Sequence, residues 1–183
     1  MPVVPSVLTV VDLPLAELCA ARIDGELVTV GAGYRSLATI ETPELRARAV
    51  LDAESDRLIA ELGTAAWIWG AVDVAPTLLE FCCAHAARFR PTFERGALIR
   101  EVRLDADDVI RLDGRAVTTP LRTAVELARA RPEFGPVEWA AVGELARIAD
   151  FTLADATALM NRRANLSGKR RALVRLETAL SPS

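Results

Sequence analysis

The stretch that decides the fold is Val117–Arg129, which reads VTTPLRTAVELAR. It follows an apolar strand pattern and opens a helical one. Thr119 followed by Pro120 suits a helix start, because a threonine oxygen can accept a hydrogen bond from a first-turn amide and proline has its φ already fixed. Apolar residues then recur at spacings of four and three, at Leu121, Val125 and Ala128. The pattern predicts a helix with one apolar stripe.

Three polar residues of this helix have further roles to consider. Thr123 with Glu126 three residues later forms a second capping-box pattern. Arg122, one turn into the helix, could bind phosphate or pair with a carboxylate of the preceding segment. We favour the ion pair, because it is the commoner use of such an arginine.

The composition is that of a globular protein, with 51% hydrophobic and 26% charged residues among 183. The three cysteines form neither an even framework nor a CxxC pair, so we expect reduced thiols and a cytoplasmic protein. No signal-peptide pattern and no membrane-spanning run is present, and we expect no membrane association. The net charge of −3 argues against a generally basic nucleic-acid binder but permits a local basic surface.

The first forty residues suggest a partial winged helix. Leu13–Arg22 has helical spacing, and the following segment to Leu37 reads as strand, turn and strand, with glycines as punctuation. A helix followed by a β-ribbon is typical of the last helix and wing of that module. Only about twelve residues precede the helix, so we expect a truncated winged-helix-like element over 1–40.

The remainder, 41–183, reads as a mixed α/β domain that ends in helices, which makes the whole chain α+β. Thr42-Pro43 predicts a helix that continues to about Leu62, and a buried helix follows from Thr64. Strands are predicted over 78–84 and 97–104, a turn or single helical turn over 105–108, and a hairpin about Asp113-Gly114. Helices are predicted over Val137–Ile148, Leu153–Arg163 and Gly168–Leu180.

No catalytic, metal or cofactor site can be assembled from the sequence, and we expect a protein that is not an enzyme. Cys83 and His85 share a strand face, but two ligands are too few for a metal and nothing orients the histidine as a base. The acidic stretch formed by Glu101, Asp105, Asp107, Asp108 and Asp113 is best explained as a solvated turn. Lys169 is the single lysine, and no phosphate-binding loop can be written around it.

Basic residues cluster near the C-terminal end. They are Arg162, Arg163, Lys169, Arg170, Arg171 and Arg175, with no acid until Glu177. This segment could contact phosphate or an acidic protein, and an ordinary amphipathic helix explains it equally well. In the proposed wing, Arg22 and Arg35 face four acidic residues between 12 and 35, which is a weak basis for reading phosphate.

The order of these motifs resembles the AbiEi family of type IV bacterial antitoxins and their regulator-like relatives in actinobacteria. Four segments carry the resemblance: ELCAARIDGELVTVGAGYR, TAAWIWGA, DDVIRLDGRAVTTPLRTAVELAR and SGKRRALVRL. The family motif at Thr119, Pro120, Arg122 and Thr123 is the most specific part, and we expect it to be structural.

The resemblance implies a winged-helix module that binds DNA and represses its own operon, joined to an α/β domain that opposes a nucleotidyltransferase-like toxin. The expected phosphate contacts are Arg22, Arg35, Arg162, Arg163, Lys169, Arg170, Arg171 and Arg175. The alternative is a protein-interaction module that has lost DNA binding and engages a toxin or a second copy of itself as a homodimer. The acidic wing and the truncated N-terminal element favour this alternative.

Overall fold

The computed structural model of the protein describes residues 5–51, 57–84 and 96–181. These ranges contain seven α-helices, one 3₁₀ turn (Ala106–Asp108) and seven β-strands. The helices are α1 (Leu15–Ile23), α2 (Pro43–Arg48), α3 (Leu62–Trp69), α4 (Pro120–Ala130), α5 (Pro136–Ala149), α6 (Leu153–Asn161) and α7 (Lys169–Leu180). The strands are β1 (Leu27–Val30), β2 (Gly33–Ser36), β3 (Ile59–Ala60), β4 (Leu79–Ala84), β5 (Ala97–Val102), β6 (Val109–Leu112) and β7 (Arg115–Thr118). The predicted α+β class and the three C-terminal helices are confirmed.

Five strands form one mixed sheet in the order β5-β4-β3-β7-β6. The short central strand β3 runs antiparallel to β4 and parallel to β7, so that Ile59 lies opposite Cys82 on one side and Ala116 on the other. Strands β4 and β5 are parallel, and β6 and β7 form an antiparallel hairpin. Strands β1 and β2 form a separate two-stranded ribbon.

The hairpin before α4 turns at Asp113 and Gly114, as predicted. Both residues have positive φ, 49° and 81°. A tight hairpin turn that matches the twist of its strands needs positive φ at both central positions, which an Asp-Gly pair tolerates. The turn brings β7 back beside β6 and delivers Thr118 to the start of α4.

Two apolar cores meet at α3. Ala65, Trp67 and Ile68 contribute to a core shared with the sheet, whereas Leu62 and Ala66 contribute to one shared with α4–α7. Because the helix packs on both sides, six of its eight residues are buried, which confirms the prediction of a helix that is apolar all round. None of the helices in the described ranges is both long enough and apolar enough to cross a bilayer.

The prediction of one helix from Thr42 to about Leu62 is wrong. The Thr42 cap and Pro43 start are present, but α2 ends at Arg48. Further along, Ile59 and Ala60 form strand β3, in the gap between β4 and β7. Burial in the sheet outweighs helical spacing here, because the short apolar run Leu58–Ala60 fits a buried strand as well as a helix.

The division of the chain into 1–40 and 41–183 stays a prediction. The helix and ribbon of the first part are confirmed as α1, β1 and β2. Val7 and Val30 from this part lie in the same core as Trp67 and Val117. The winged-helix assignment therefore rests on the order of the elements, whereas the packing joins the ribbon to the α/β part.

Candidate partner and nucleic-acid interfaces

Helix α4 begins as the sequence predicts. The Thr119 hydroxyl accepts a hydrogen bond from the Arg122 amide at 3.2 Å, and Pro120 occupies the first helical position. The cap satisfies one of the amides that the first turn leaves without a helical partner. The Thr-Pro pair thus fixes the point at which the chain leaves β7 and enters the helical part of the fold.

The second capping box, at Thr123 and Glu126, is not formed. The Thr123 hydroxyl lies 2.7 Å from the hydroxyl of Thr118 and 2.8 Å from the carbonyl oxygen of Thr119. Thr123 is already one turn inside the helix, so its hydroxyl ties α4 to the end of β7 instead of capping a new turn. The Glu126 carboxylate instead pairs with arginine side chains.

Arg122 turns into the protein. Its Nη1 donates to Asp108 Oδ2 at 2.9 Å, and its Nη2 lies 2.9 Å from Glu126 Oε1. Only 5% of Arg122 and 1% of Asp108 are exposed. The arginine therefore pairs with a carboxylate of the preceding segment, and a side chain this enclosed offers no surface to phosphate. The expectation of a solvated acidic turn is wrong at Asp108, although Asp105 and Asp107 are exposed.

These contacts belong to a larger group of charged side chains, the buried ion-pair cluster. Its members are Glu61, Arg100, Asp108, Arg122, Glu126 and Arg129. Arg100 donates to both carboxylate oxygens of Glu61, at 2.7 and 2.6 Å, and to Glu126 at 3.3 Å. Arg129 donates to Glu126 at 2.6 Å. The cluster connects α4 with strand β5 and with the residue that precedes α3.

Two carboxylates of the cluster have pKa values shifted in opposite directions, although burial acts to raise both. Burial raises the pKa of Glu61, and the hydrogen bond and charge of Arg100 only partly oppose the rise. Burial also acts to raise the pKa of Glu126, but Arg129, Arg122 and Arg100 together hold that pKa below its ordinary value. Glu126 is therefore the anionic centre on which three arginines converge.

The adjacent cysteines offer no nucleophile. Cys82 and Cys83 lie in β4 and are both buried. Burial raises the pKa of each thiol, so both stay protonated and unreactive at neutral pH. His85, which was considered together with Cys83, lies outside the described residues.

Two arginines of the basic C-terminal segment hold α7 against the end of α4. Arg175 donates to the carbonyl oxygens of Ala128, Arg131 and Pro132 at 3.0, 2.7 and 3.0 Å. Arg171 donates to the carbonyl oxygen of Arg129 at 2.7 Å. The last carbonyls of a helix lack amide partners and carry partial negative charge, so two cations there satisfy the end of α4.

The other four basic residues of the segment differ in whether their side chains have partners. Lys169 donates to the side-chain oxygen of Asn161. Arg162 and Arg163 lie between 3.6 and 3.9 Å from carboxylate oxygens of the 105–108 turn. Arg170 is exposed and makes no hydrogen bond or ion pair with any described residue. The structure thus engages five of the six with different parts of the fold and leaves Arg170 without a partner in the described ranges.

The N-terminal helix exposes most of its surface. Leu18 is the one residue of α1 that is buried. Leu15 and Ile23 are 56% and 77% exposed, and both share a helix stripe with Cys19, whose Sγ lies 4.0 Å from the Tyr34 hydroxyl. Two large apolar side chains therefore lie exposed near the two ends of a helix that packs against β1.

The two basic residues predicted for the winged-helix element have different environments. Arg22 is exposed at the end of α1 and has no side-chain partner among the described residues. Arg35 donates to both the Glu41 carboxylate at 3.3 Å and the Thr39 carbonyl oxygen at 2.8 Å. Glu41 thus holds Arg35 in place while also pairing with Arg46. Glu17 and Asp24 are exposed acidic residues of the same N-terminal element.

The family model described as the AbiEi antitoxin C-terminal domain matches residues 58–181 of the 183. The chain belongs to the AbiEi antitoxin family. The match contains the family motif at 119–123, the buried ion-pair cluster and the basic C-terminal segment, whereas α1 and its ribbon precede it. This places the AbiEi chain among proteins of toxin–antitoxin systems and transcriptional regulators.

A solved structure shows the same fold as the AbiEi chain. The RV2827C protein from Mycobacterium tuberculosis aligns with 96% of this chain and 72% of its own, with a TM-score of 0.51 and 20% sequence identity. At that identity the likeness concerns the fold alone. A search of curated proteins gives no match.

The sequence analysis missed several charged residues that organise the AbiEi domain. Glu61 and Arg100 belong to the buried ion-pair cluster, and Arg131 donates to both carboxylate oxygens of Glu80 at 2.8 and 2.6 Å. Glu80 also accepts from the Gly63 amide at 2.9 Å. The sequence does contain an indication of these pairs. Glu61, Glu80 and Arg100 each lie within or beside an apolar strand, and a charge buried there needs a partner.

Proposed function

We propose that this AbiEi-family chain acts as an antitoxin or regulator by binding a protein partner, a nucleotidyltransferase-like toxin, through the exposed face of α1. The observation that carries the proposal is the exposure of two large apolar side chains, Leu15 and Ile23, on a helix that buries only Leu18. Exposed apolar side chains grouped on one element can mark a protein–protein contact.

The charge of the N-terminal element supports a protein partner over nucleic acid. Between residues 12 and 35 there are four acidic residues and two basic ones, and one of the basic ones, Arg35, is held by Glu41. Phosphate binding requires an excess of cations, because affinity comes from the counterions that they displace. An acidic and apolar face is complementary to a basic and apolar protein surface.

The contacts of the basic C-terminal segment also support a protein partner over nucleic acid. Arg171 and Arg175 are bound to carbonyl oxygens at the end of α4, and Arg163 faces carboxylates. A phosphate would have to displace these partners before it could be bound. The proposed function involves no catalysis by this chain.

Co-expression with a nucleotidyltransferase-like toxin, taken from the same operon where one is encoded there, tests the proposal. We expect the two proteins to elute together from size exclusion. Ile23→Asp places a charge at one of the two exposed apolar positions and should weaken the complex at least about tenfold. The matched control is Val174→Asp on α7, where the valine is 60% exposed, and it should leave the complex intact. A wild-type chain that elutes alone and monomeric in the presence of the toxin would contradict the proposal.

DNA binding with repression of the chain's own operon is the second candidate. It is favoured by Arg22 and Arg170, which are exposed and have no partner among the described residues. Fluorescence anisotropy with the upstream DNA and a scrambled duplex, at low and at physiological salt, tests it. Specific binding that weakens steeply with salt and falls in Arg22→Ala and Arg170→Ala would support repression. Equal weak binding to both duplexes would count against it.

A further inference from the structure

An apolar groove lies between the segment that follows α3 and the first half of α5. Its volume is about 470 Å³, which is within the range of roughly 300–1,000 Å³ typical of ligand sites. The groove exists because small residues line it: Gly63, Ala66, Ala71, Ala140 and Ala141. The lining residues all fall between 63 and 141, so the groove is a different surface from the face of α1.

Both rims of the groove carry exposed valines. Val74, in the segment after α3, is 80% exposed, and Val137, at the start of α5, is 67% exposed. Leu127 forms part of the floor. An apolar side chain that contacts these valines and the floor would remove both its own surface and theirs from water.

The charged residues of the groove leave a net negative rim. Arg131 is neutralised by its two hydrogen bonds to Glu80. Asp73 is exposed and has no side-chain partner among the described residues. Glu138 accepts from the Gly135 amide at 2.9 Å through one oxygen, which caps α5 and leaves the carboxylate charge in place.

The second cation near Glu138 does not reverse this balance. Arg175 interacts with Glu138 through its charge, but its guanidinium donates to three backbone carbonyl oxygens at the end of α4. Asp73 therefore keeps an uncompensated charge at the rim, beside an apolar floor. A neutral apolar compound would leave that charge unused, whereas an acidic segment would be repelled.

We propose that this groove binds a short segment of a protein partner that presents one apolar side chain next to a basic residue. The apolar side chain lies over Ala140 and Leu127, and the basic residue faces Asp73 and Glu138. The inference goes beyond the proposed function, because it assigns a second binding surface within the part of the chain that matches the family.

Synthetic peptides test the groove without the toxin. The probe is a short peptide with a central leucine flanked by arginines, and its controls replace the arginines by glutamates or the leucine by glycine. We expect the arginine peptide to give saturable amide shifts at 71–74 and 137–141 in NMR titrations, with both controls at least about tenfold weaker. Equal binding of all three peptides, or shifts elsewhere, would overturn the proposal.

Two variants with matched controls locate the binding. Ala140 is exposed on α5, so Ala140→Trp should fill the groove without disturbing the core and abolish the shifts, whereas Ala158→Trp on the exposed face of α6 should not. Asp73→Lys should weaken the arginine peptide about tenfold, and Glu177→Lys, at an exposed site on α7, should leave it unchanged. Unaltered binding to Ala140→Trp would overturn the proposal.

The same variants separate this inference from the proposed function. Ile23→Asp should keep its affinity for the arginine peptide and lose the toxin, because the two surfaces share no residue. If the wild-type chain binds the peptide but never co-elutes with the toxin, the proposed function fails and the groove stands. If toxin binding survives and the peptide gives no shifts, the groove is wrong and the proposed function stands.

Discussion

Helices α4 and α1 have similar sizes but opposite relations to the protein around them. Helix α4 buries eight of its eleven residues, among them Arg122 and Glu126, whereas α1 buries one of nine and exposes Leu15 and Ile23. In α4 two charged residues lie inside and are paired, while in α1 two large apolar residues lie outside. The difference shows that, in these two helices, packing against neighbouring elements determines which side chains are buried more than residue type does.

The two helices should also differ in what they contribute. Helix α4 contacts α3, α5, α6 and α7. We therefore expect a substitution in α4 to change the stability of the whole α/β part. Helix α1 packs mainly against β1, and its Cys19 lies beside Tyr34 of β2. We therefore expect α4 to carry stability and α1 to be available for recognition, and substitutions in the two helices test that contrast.

The largest effect is expected at Glu126. Glu126→Ala removes the carboxylate on which Arg100, Arg122 and Arg129 converge. Arg100 and Arg122 keep Glu61 and Asp108, whereas Arg129 loses its carboxylate partner. Breaking a buried ion pair from one side should reduce the free energy of unfolding by about 3–5 kcal/mol, as measured by urea denaturation.

Glu144→Ala on α5 is the matched control for Glu126→Ala, since it breaks an exposed helix pair with Arg147 and should change stability little. If both substitutions cost the same, the buried ion-pair cluster would not be the structural centre of the fold.

The next effect tests how α1 is attached. Leu18→Ala removes the single buried side chain of that helix and should cost about 2–4 kcal/mol locally, because a fully buried leucine leaves a cavity. Hydrogen exchange of the α1 amides should rise well before the amides of α4 respond. Leu15→Ala, on the exposed side of the same helix, should leave exchange unchanged. Equal effects of the two substitutions would show that α1 packs differently.

The contrast also explains which parts of the molecule the sequence could predict. The start of α4 and the β6–β7 hairpin follow from local signals, a Thr-Pro cap and an Asp-Gly turn, and both are confirmed. The predicted extent of α2 was wrong because residues 59–60 become strand β3 through pairing with β4 and β7, which are distant in sequence. Local chemistry was sufficient where the partner lies within a few residues.

The candidate site was less predictable for the same reason. Arg100 and Glu61 pair across 39 residues, and Arg122 and Asp108 across 14. The sequence shows that these charges exist but not that the fold encloses them. In the basic C-terminal segment it likewise could not show that Arg171 and Arg175 bind carbonyl oxygens of α4. Such assignments need the tertiary placement of two elements at once.

The pH dependence of stability should differ in sign between two carboxylates of the cluster. The pKa of Glu126 is lowered from its ordinary value of 4.5, so its stabilisation is present above that pH and is lost as the pH falls through the folded-state value. The pKa of Glu61 is raised, so its contribution is favourable in acid and declines as the pH rises above 4.5.

Urea titrations of Glu126→Gln and Glu61→Gln across the acid range measure the two contributions. Glu126→Gln should flatten the loss of stability in acid, and Glu61→Gln should steepen it, each by at most about 1.4 kcal/mol per pH unit. If both substitutions changed the pH dependence in the same direction, the pKa values of Glu61 and Glu126 would be shifted in the same direction, and the prediction would be wrong.

A smaller effect is expected at the start of α4. Thr119→Ala removes the hydroxyl that accepts from the Arg122 amide, and it should cost about 1 kcal/mol of unfolding free energy. Thr119→Ser keeps the acceptor and should restore most of it. Equal stability of the alanine and serine variants would mean that the cap contributes nothing and that burial alone positions the helix.

The smallest effect should come from giving α1 the cap that α4 already has. Pro14 precedes α1 and provides no side-chain hydrogen bond to the first turn. Pro14→Ser supplies an acceptor for those amides and should stabilise the helix by about 0.5 kcal/mol, observed as slower hydrogen exchange at Ala16 and Glu17. The gain should stay local, because α1 packs mainly against β1. If Pro14→Ser raised the stability of α4 as well, the two helices would unfold as one unit, and α1 would be part of the stable framework instead of a surface held in place for a partner.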